Sequence, residues 1–210
     1  MKILIVVATE GEFSRSATVR GHELTVLVTG VGMVATAVHC ARALLQERYD
    51  LALNVGVCGS FRRSMPPGSV VHVVADQMPE LGAQDGEDFL PIQQLGLLGP
   101  NDRPYRGGLL VNSAPPTIPA LIELPAVTAV TVNTVHGDTA AIERVVQRVD
   151  PDVESMEGAA FAYACLVHGV RFAQVRAVSN PVERRNRAAW KMPEAIAALN
   201  QTVTRIIEQA

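Results

Sequence analysis

Six strand-length apolar runs punctuate this chain, at residues 2–8, 24–29, 51–55, 69–75, 127–133 and 172–179. Helical patterns lie between several of them. In 33–48 the apolar residues Val34, Val38, Ala41, Leu44 and Leu45 recur at helical spacing. The same period picks out Ile142, Val145, Val146 and Val149 in 139–149, and Ile196, Leu199, Val203, Ile206 and Ile207 in 193–208, as core faces. Alternation of this kind predicts an α/β fold with a largely parallel or mixed sheet. No linker-like stretch divides it, so residues 1–210 are expected to form one domain. From 79 to 108 the periodicity fades and Gly, Pro, Asp and Gln accumulate, which marks a functional or interfacial loop.

Bulk composition excludes several classes of partner. A formal charge of −3 gives no electrostatic reason to expect nucleic acid or an anionic membrane. No apolar run reaches the roughly 18 residues of a membrane span. The opening segment, one Lys and then an apolar run without a small-residue cleavage site, does not read as a signal peptide. Cys40, Cys58 and Cys165 are odd in number and set in apolar sequence, so they read as small buried hydrophobes in a reducing, cytoplasmic setting.

Chemistry gathers at the ends of the strand-like runs. Three glycine turns are expected, at Thr29-Gly30-Val31-Gly32, Asn54-Val55-Gly56-Val57-Cys58-Gly59-Ser60 and His136-Gly137-Asp138. Glycine there lets backbone N–H groups approach a ligand, and strand carboxyl ends share one crevice in α/β sheets. Neither a dinucleotide fingerprint nor a Walker lysine is present. Glu10 and Glu12 follow the first run at the start of a probable helix, either as helix N-terminal charge or as a general base. Glu154-Ser155-Met156-Glu157 opens a run so apolar that it predicts a buried helix, with a carboxylate at its positive end. Arg176 and Asn180 flank Ala177-Val178-Ser179 at the end of the last long run. The five histidines are scattered, and only His136 stands out, beside Gly137-Asp138. Arg184-Arg185-Asn186-Arg187, before Trp190, is a solvated basic turn or a gating element. No metal-ligand cluster is expected.

Together these pieces resemble the nucleoside phosphorylase and nucleosidase superfamily, whose order and approximate spacing they follow over nearly the whole chain. The resemblance implies a three-layer α/β/α fold with a central mixed, strongly twisted sheet. It also implies a nucleoside substrate, no cofactor and a homo-oligomer. By resemblance Glu12 is the base for water, and Glu157 accepts hydrogen bonds from the ribose hydroxyls with Met156 packing on the sugar. Gly56, Ser155, Arg176 and Ser179 complete the expected binding residues. The methylthioadenosine and adenosylhomocysteine nucleosidases carry Asp where this chain has Asn180. That departure, with 80–86 and 180–190, is similar to the futalosine hydrolase family, which releases hypoxanthine from futalosine in a menaquinone route. An amide NH₂ donates to the O6 and N7 acceptors of a 6-oxopurine without an altered pKa, but cannot deliver a proton. Arg62 and Arg63 keep a phosphorylase alternative open, and a nucleoside-binding module without catalysis is the non-enzyme alternative.

Overall fold

The computed structural model describes residues 1–13 and 21–210. The first half of the chain forms β1 (Lys2–Val7), β2 (Glu23–Val28), α1 (Met33–Gln46), β3 (Leu51–Ser60), β4 (Val70–Gln77), β5 (Gly82–Asp85) and β6 (Asp88–Pro91). The second half forms β7 (Leu110–Val111), α2 (Pro119–Ile122), β8 (Ala126–Thr131), α3 (Thr139–Val149), β9 (Val153–Ser155), α4 (Gly158–His168), β10 (Phe172–Pro181) and α5 (Met192–Glu208). The probable helix after Glu12 falls on 14–20, outside the described residues.

One mixed sheet takes the order β10-β4-β8-β9-β3-β1-β2, with β7 paired to β4. β3 also pairs with β10, so the path through β4, β8 and β9 closes on itself and the sheet curls at that end. Parallel pairs (β1 with β2 and β3, β10 with β3, β8 with β4 and β9) coexist with antiparallel ones (β10–β4, β3–β9, β4–β7). One face of β1, β3 and β10 packs with α2 and α5 around Ile5, Leu53, Val175, Leu199 and Ile206. The other face meets α1 and α4 around Leu4, Val6, Cys40, Phe161 and Cys165. A third cluster, Cys58, Val71, Val73, Val127, Ala129, Val153 and Val178, fills the curl. The layers are α/β/α, as the resemblance implies.

Two expectations need correction. The Asn54–Ser60 stretch is not a turn after a strand, because β3 runs unbroken from Leu51 to Ser60. Its two glycines serve close approach from within the strand, described below. Residues 79–108 are not structureless, since β5 and β6 form a hairpin there. The apolar positions of α1 are largely uncovered: Val34, Val38 and Leu45 are 77%, 61% and 75% exposed. α1 turns Thr36 and Cys40 inward instead and packs on α4. Periodicity identifies an apolar stripe but not what covers it. Here Val34, Ala37 and Ala41 of α1 join Tyr163 and Val167 of α4 along an apolar groove of about 480 Å³. α4 is otherwise buried almost from end to end, as its composition predicts.

Two local departures matter for the site. β10 pairs Val178 with Cys58 and Asn180 with Gly59, so the ladder shifts by one residue at Ser179. α4 begins directly after Glu157, which occupies its N-cap position. The three cysteines are free and buried, and burial pushes the Cys40 and Cys58 thiols up to about 12. Among the described residues no group of His, Cys, Asp and Glu could hold a metal ion, and no helix is long and apolar enough to cross a membrane.

Candidate active site

Two polar clusters form on β3, around Gly56 and Gly59. Gly56 and Gly59 are three positions apart, with Val57 and Cys58 between them, about 10 Å of strand, a span on the scale of a purine nucleoside.

Around Gly56 stand Glu12, Arg176 and Glu157. Glu12 is buried in the turn after β1, and its Oε2 accepts the N–H groups of Ala8 at 2.8 Å and Thr9 at 3.0 Å. Its Oε1 has no hydrogen-bond donor among the described residues, leaving one carboxylate oxygen for a water. The Asn200 side chain donates to the Glu12 carbonyl at 3.0 Å, tying this turn to α5. Arg176 is 1% exposed and pairs in register with Gly56. A methyl group on Gly56 would collide with Arg176 Nη1 and stand 3.1 Å from Glu12 Oε1, so this strand position requires glycine. Arg176 Nη1 lies 3.7 Å from Glu157 Oε2, while Glu157 Oε1 accepts the Gly32 N–H at 3.1 Å. The Thr29–Gly32 turn thus reaches the site through one backbone amide, with Gly32 at φ +99° as the N-cap of α1. A buried carboxylate needs such partners, because an unpaired one is costly.

Behind Arg176 runs a buried polar chain that the sequence patterns did not single out. Arg176 Nε donates to Gln174 Oε1 at 3.1 Å, and Nη2 donates to Asn54 Oδ1. Gln174 Nε2 donates to Asp76 Oδ2 at 3.0 Å, and Thr131 Oγ1 donates to Asp76 Oδ1 at 2.9 Å. Thr131 Oγ1 in turn accepts the Ala159 N–H in the first turn of α4, at 2.7 Å. Burial raises the Asp76 carboxyl from 3.8 to about 6, against the hydrogen bonds that favour its charged form. The available signal was a polar residue within an apolar strand: Asn54, Asp76, Thr131 and Gln174 all sit in β-strands. These contacts direct Arg176 onto protein partners, behind Glu157, as a positioning group.

Around Gly59 stand Asn180 and Glu154, both paired in register with that glycine from opposite sides. A methyl group on Gly59 would meet Val182 Cγ2 at 2.8 Å, Asn180 Nδ2 at 3.4 Å and Glu154 Cγ at 3.5 Å. Asn180 Oδ1 accepts from Ser179 Oγ at 2.7 Å, and its Nδ2 donates to the Pro181 carbonyl at 2.9 Å. One amide N–H is left for a ligand acceptor. Glu154 is 4% exposed and bonds His136 twice, at the backbone N–H (3.1 Å) and at Nδ1 (2.6 Å). A small cavity is lined by Gly59, Asn180, Glu154, His136, Arg185 and Trp190, so the basic turn after β10 borders it. Arg185 lies over the Trp190 ring, 5.5 Å from its centroid.

Of the expected binding residues, Met156 is half-buried between Ser155 and Glu157. Ser155 is buried with no hydrogen-bond partner for Oγ among the described residues, and Ser179 Oγ donates to Asn180 Oδ1. Glu154, which the sequence assigns no role, belongs to the Gly59 cluster. Arg62 is engaged with an acidic loop: it donates to Asp152 Oδ1 at 2.8 Å and to the Asp150 carbonyl at 3.0 Å.

Comparison with known proteins places the chain in a family. The family model described as "Phosphorylase superfamily" matches residues 4–208. A futalosine hydrolase of Streptomyces coelicolor is 36% identical over 191 residues, covering 86% of this chain and 77% of the relative. One of Thermus thermophilus is 30% identical over 197 residues, 90% of this chain and 84% of the relative. Among solved structures, the Helicobacter pylori futalosine hydrolase superposes with a TM-score of 0.80 at 14% identity, covering 100% of this chain and 98% of that one. A Colwellia psychrerythraea methylthioadenosine/adenosylhomocysteine nucleosidase gives 0.79 at 18% identity, covering 100% and 95%.

Proposed function

We propose that this chain, which belongs to the phosphorylase superfamily, is a futalosine hydrolase, cleaving the N-ribosidic bond of futalosine to release hypoxanthine for a menaquinone route. The observation that carries this reading is the division of labour along β3. Two carboxylates flank Gly56, and an amide in place of a carboxyl group stands beside Gly59. Glu12 takes the proton of a water attacking C1′, its anchored Oε2 leaving Oε1 to face that water. The C1′–N9 bond breaks with its electron pair passing to the purine, through an oxocarbenium-like sugar. Glu157 accepts from the ribose hydroxyls, and its charge favours the developing positive sugar in a dry site. Met156, Ser155 and Gly56 line the ribose end. Asn180 donates to the purine's acceptor edge, and Ser179 orients it.

Hydrolysis is favoured over phosphorolysis because Arg62 is committed to Asp150 and Asp152, and a carboxylate, Glu12, stands at the ribose end. The protein acts in the cytoplasm and as a homo-oligomer, and the apolar stripe of α1 and α4 is the face that a second copy covers. Sedimentation is expected to show an oligomer that V38D weakens. For the activity itself, futalosine, aminodeoxyfutalosine, inosine and methylthioadenosine are offered and the released base is identified. Hypoxanthine from futalosine is expected. Adenine released as fast from methylthioadenosine, or a requirement for phosphate, would overturn the reading.

A further inference from the structure

An amide at position 180 leaves the reaction one proton short. A purine expelled with the electron pair of the C1′–N9 bond departs best if a ring nitrogen is protonated as the bond breaks. Asn180 can hydrogen-bond to that base but has no proton to transfer.

The cavity beside Asn180 contains a group that does. His136 Nδ1 lies 2.6 Å from Glu154 Oε2, and the His136 backbone N–H is 3.1 Å from Glu154 Oε1, so one buried carboxylate fixes both the ring and its loop. With Nδ1–H committed to the carboxylate, Nε2 is the nitrogen through which the ring exchanges a proton. Nε2 has no hydrogen-bond partner among the described residues, and His136 lines the same cavity as Asn180. Phe61 packs edge-on to the ring, 6.3 Å between centroids, and steadies it from β3's far end. Gly59 separates the two sides: Asn180 pairs with it from β10 and Glu154 from β9. A flat base laid over Gly59 therefore meets the amide at one edge and the Glu154–His136 pair at the other.

Resting on the hydrolase reading above, we propose that His136 is the general acid for the departing purine, with Glu154 as its positioning partner. In the step, C1′–N9 breaks and its pair passes to the purine, whose ring nitrogen takes the proton from Nε2. The water oxygen bonds to C1′ as its proton goes to Glu12. Neutral His136 then regains a proton from solvent, and Glu12 returns one. The charged groups facing His136 are Glu154 from β9, and Glu183 and Arg185 from the turn after β10, with Asp138 on its own loop.

The test varies the leaving group. A p-nitrophenyl riboside expels a stable anion that needs no acid, whereas inosine and futalosine expel a purine that does. H136N is expected to lower kcat on futalosine by about 10²-fold or more and kcat on the p-nitrophenyl riboside by less than about threefold. E154Q is expected to show the same contrast at smaller size. Equal losses on both substrates, or no loss on futalosine, would sink the assignment. Wild-type pH profiles serve should the variants fold poorly. The alkaline limb of kcat is expected with futalosine and absent with the p-nitrophenyl riboside, and a limb common to both overturns it. Failure of the hydrolase reading looks different, as wild-type protein would then release hypoxanthine only when phosphate is added, or release adenine from methylthioadenosine as fast.

Discussion

The two polar clusters on β3 are built differently. At Gly56 the two proposed catalytic-site carboxylates are held by backbone amides, with a buried polar chain behind Arg176, so Glu12 and Glu157 are positioned by the fold itself. At Gly59 the side chains come from a shifted strand, a three-residue strand and two loops, and hold one another by side-chain contacts. Attack on C1′ and charge on the sugar are common to any nucleoside hydrolysis, and a rigid set of groups suits them. Base identity varies among such enzymes, and a few side chains on irregular backbone can change without disturbing the rest.

The contrast breaks most visibly at Glu12. E12Q keeps an oxygen for the Ala8 and Thr9 amides, so the turn survives while the base is lost. A fall in kcat of about 10²- to 10⁴-fold with folding unchanged is expected, and retained activity would remove Glu12 from its role. G56A should come next. Its methyl group displaces Arg176 and crowds Glu12, so hydrolysis of every nucleoside falls together, about 10²-fold, without a change of preference. N180D probes the other end. The ratio of kcat/KM for 6-oxo over 6-amino nucleosides is expected to fall about tenfold or more, with E12Q leaving that ratio untouched. A ratio that moves with E12Q and not with N180D would reverse the assignment of the two ends.

The smallest effect concerns the support behind Arg176. Asp76 in the folded protein binds its proton near pH 6, against 3.8 when unfolded, so between those values the native state holds a proton that the unfolded chain lacks. This group's contribution to stability therefore grows as pH falls from 7 towards 4. Relative to D76N, the wild-type unfolding free energy should rise by at most about 1.4 kcal/mol per pH unit on acidification. Denaturant titrations from pH 7 to 4 measure this, and a difference independent of pH would contradict it.

Legibility in the sequence follows the same division. Apolar runs reveal strands because burial on both faces leaves few polar residues, and five of the six expected runs fall within two residues of an observed strand at both ends. The run at 51–55 fails at its far end, since β3 continues through glycines that look like a turn but accommodate Arg176 and Asn180. Glu12 and Glu157 could be picked out beside strand and helix boundaries. Glu154 could not, because its partner lies 18 residues away and only the pairing of β9 with β3 brings it to Gly59. The exposed α1 stripe was legible as apolar but not as uncovered, which depends on tertiary packing.

The shift in β10 carries one further consequence. Consecutive side chains on a regular strand point to opposite faces and do not meet. At Ser179 the broken alternation lets a hydroxyl reach the amide of the next residue, 2.7 Å away. On the proposed function, the reader of the base and the group that sets its orientation are therefore encoded by neighbouring codons. A single nucleotide change at position 180 can exchange an amide for a carboxyl group while the Ser179 hydroxyl stays in place, so on that reading a new base preference lies one mutational step away.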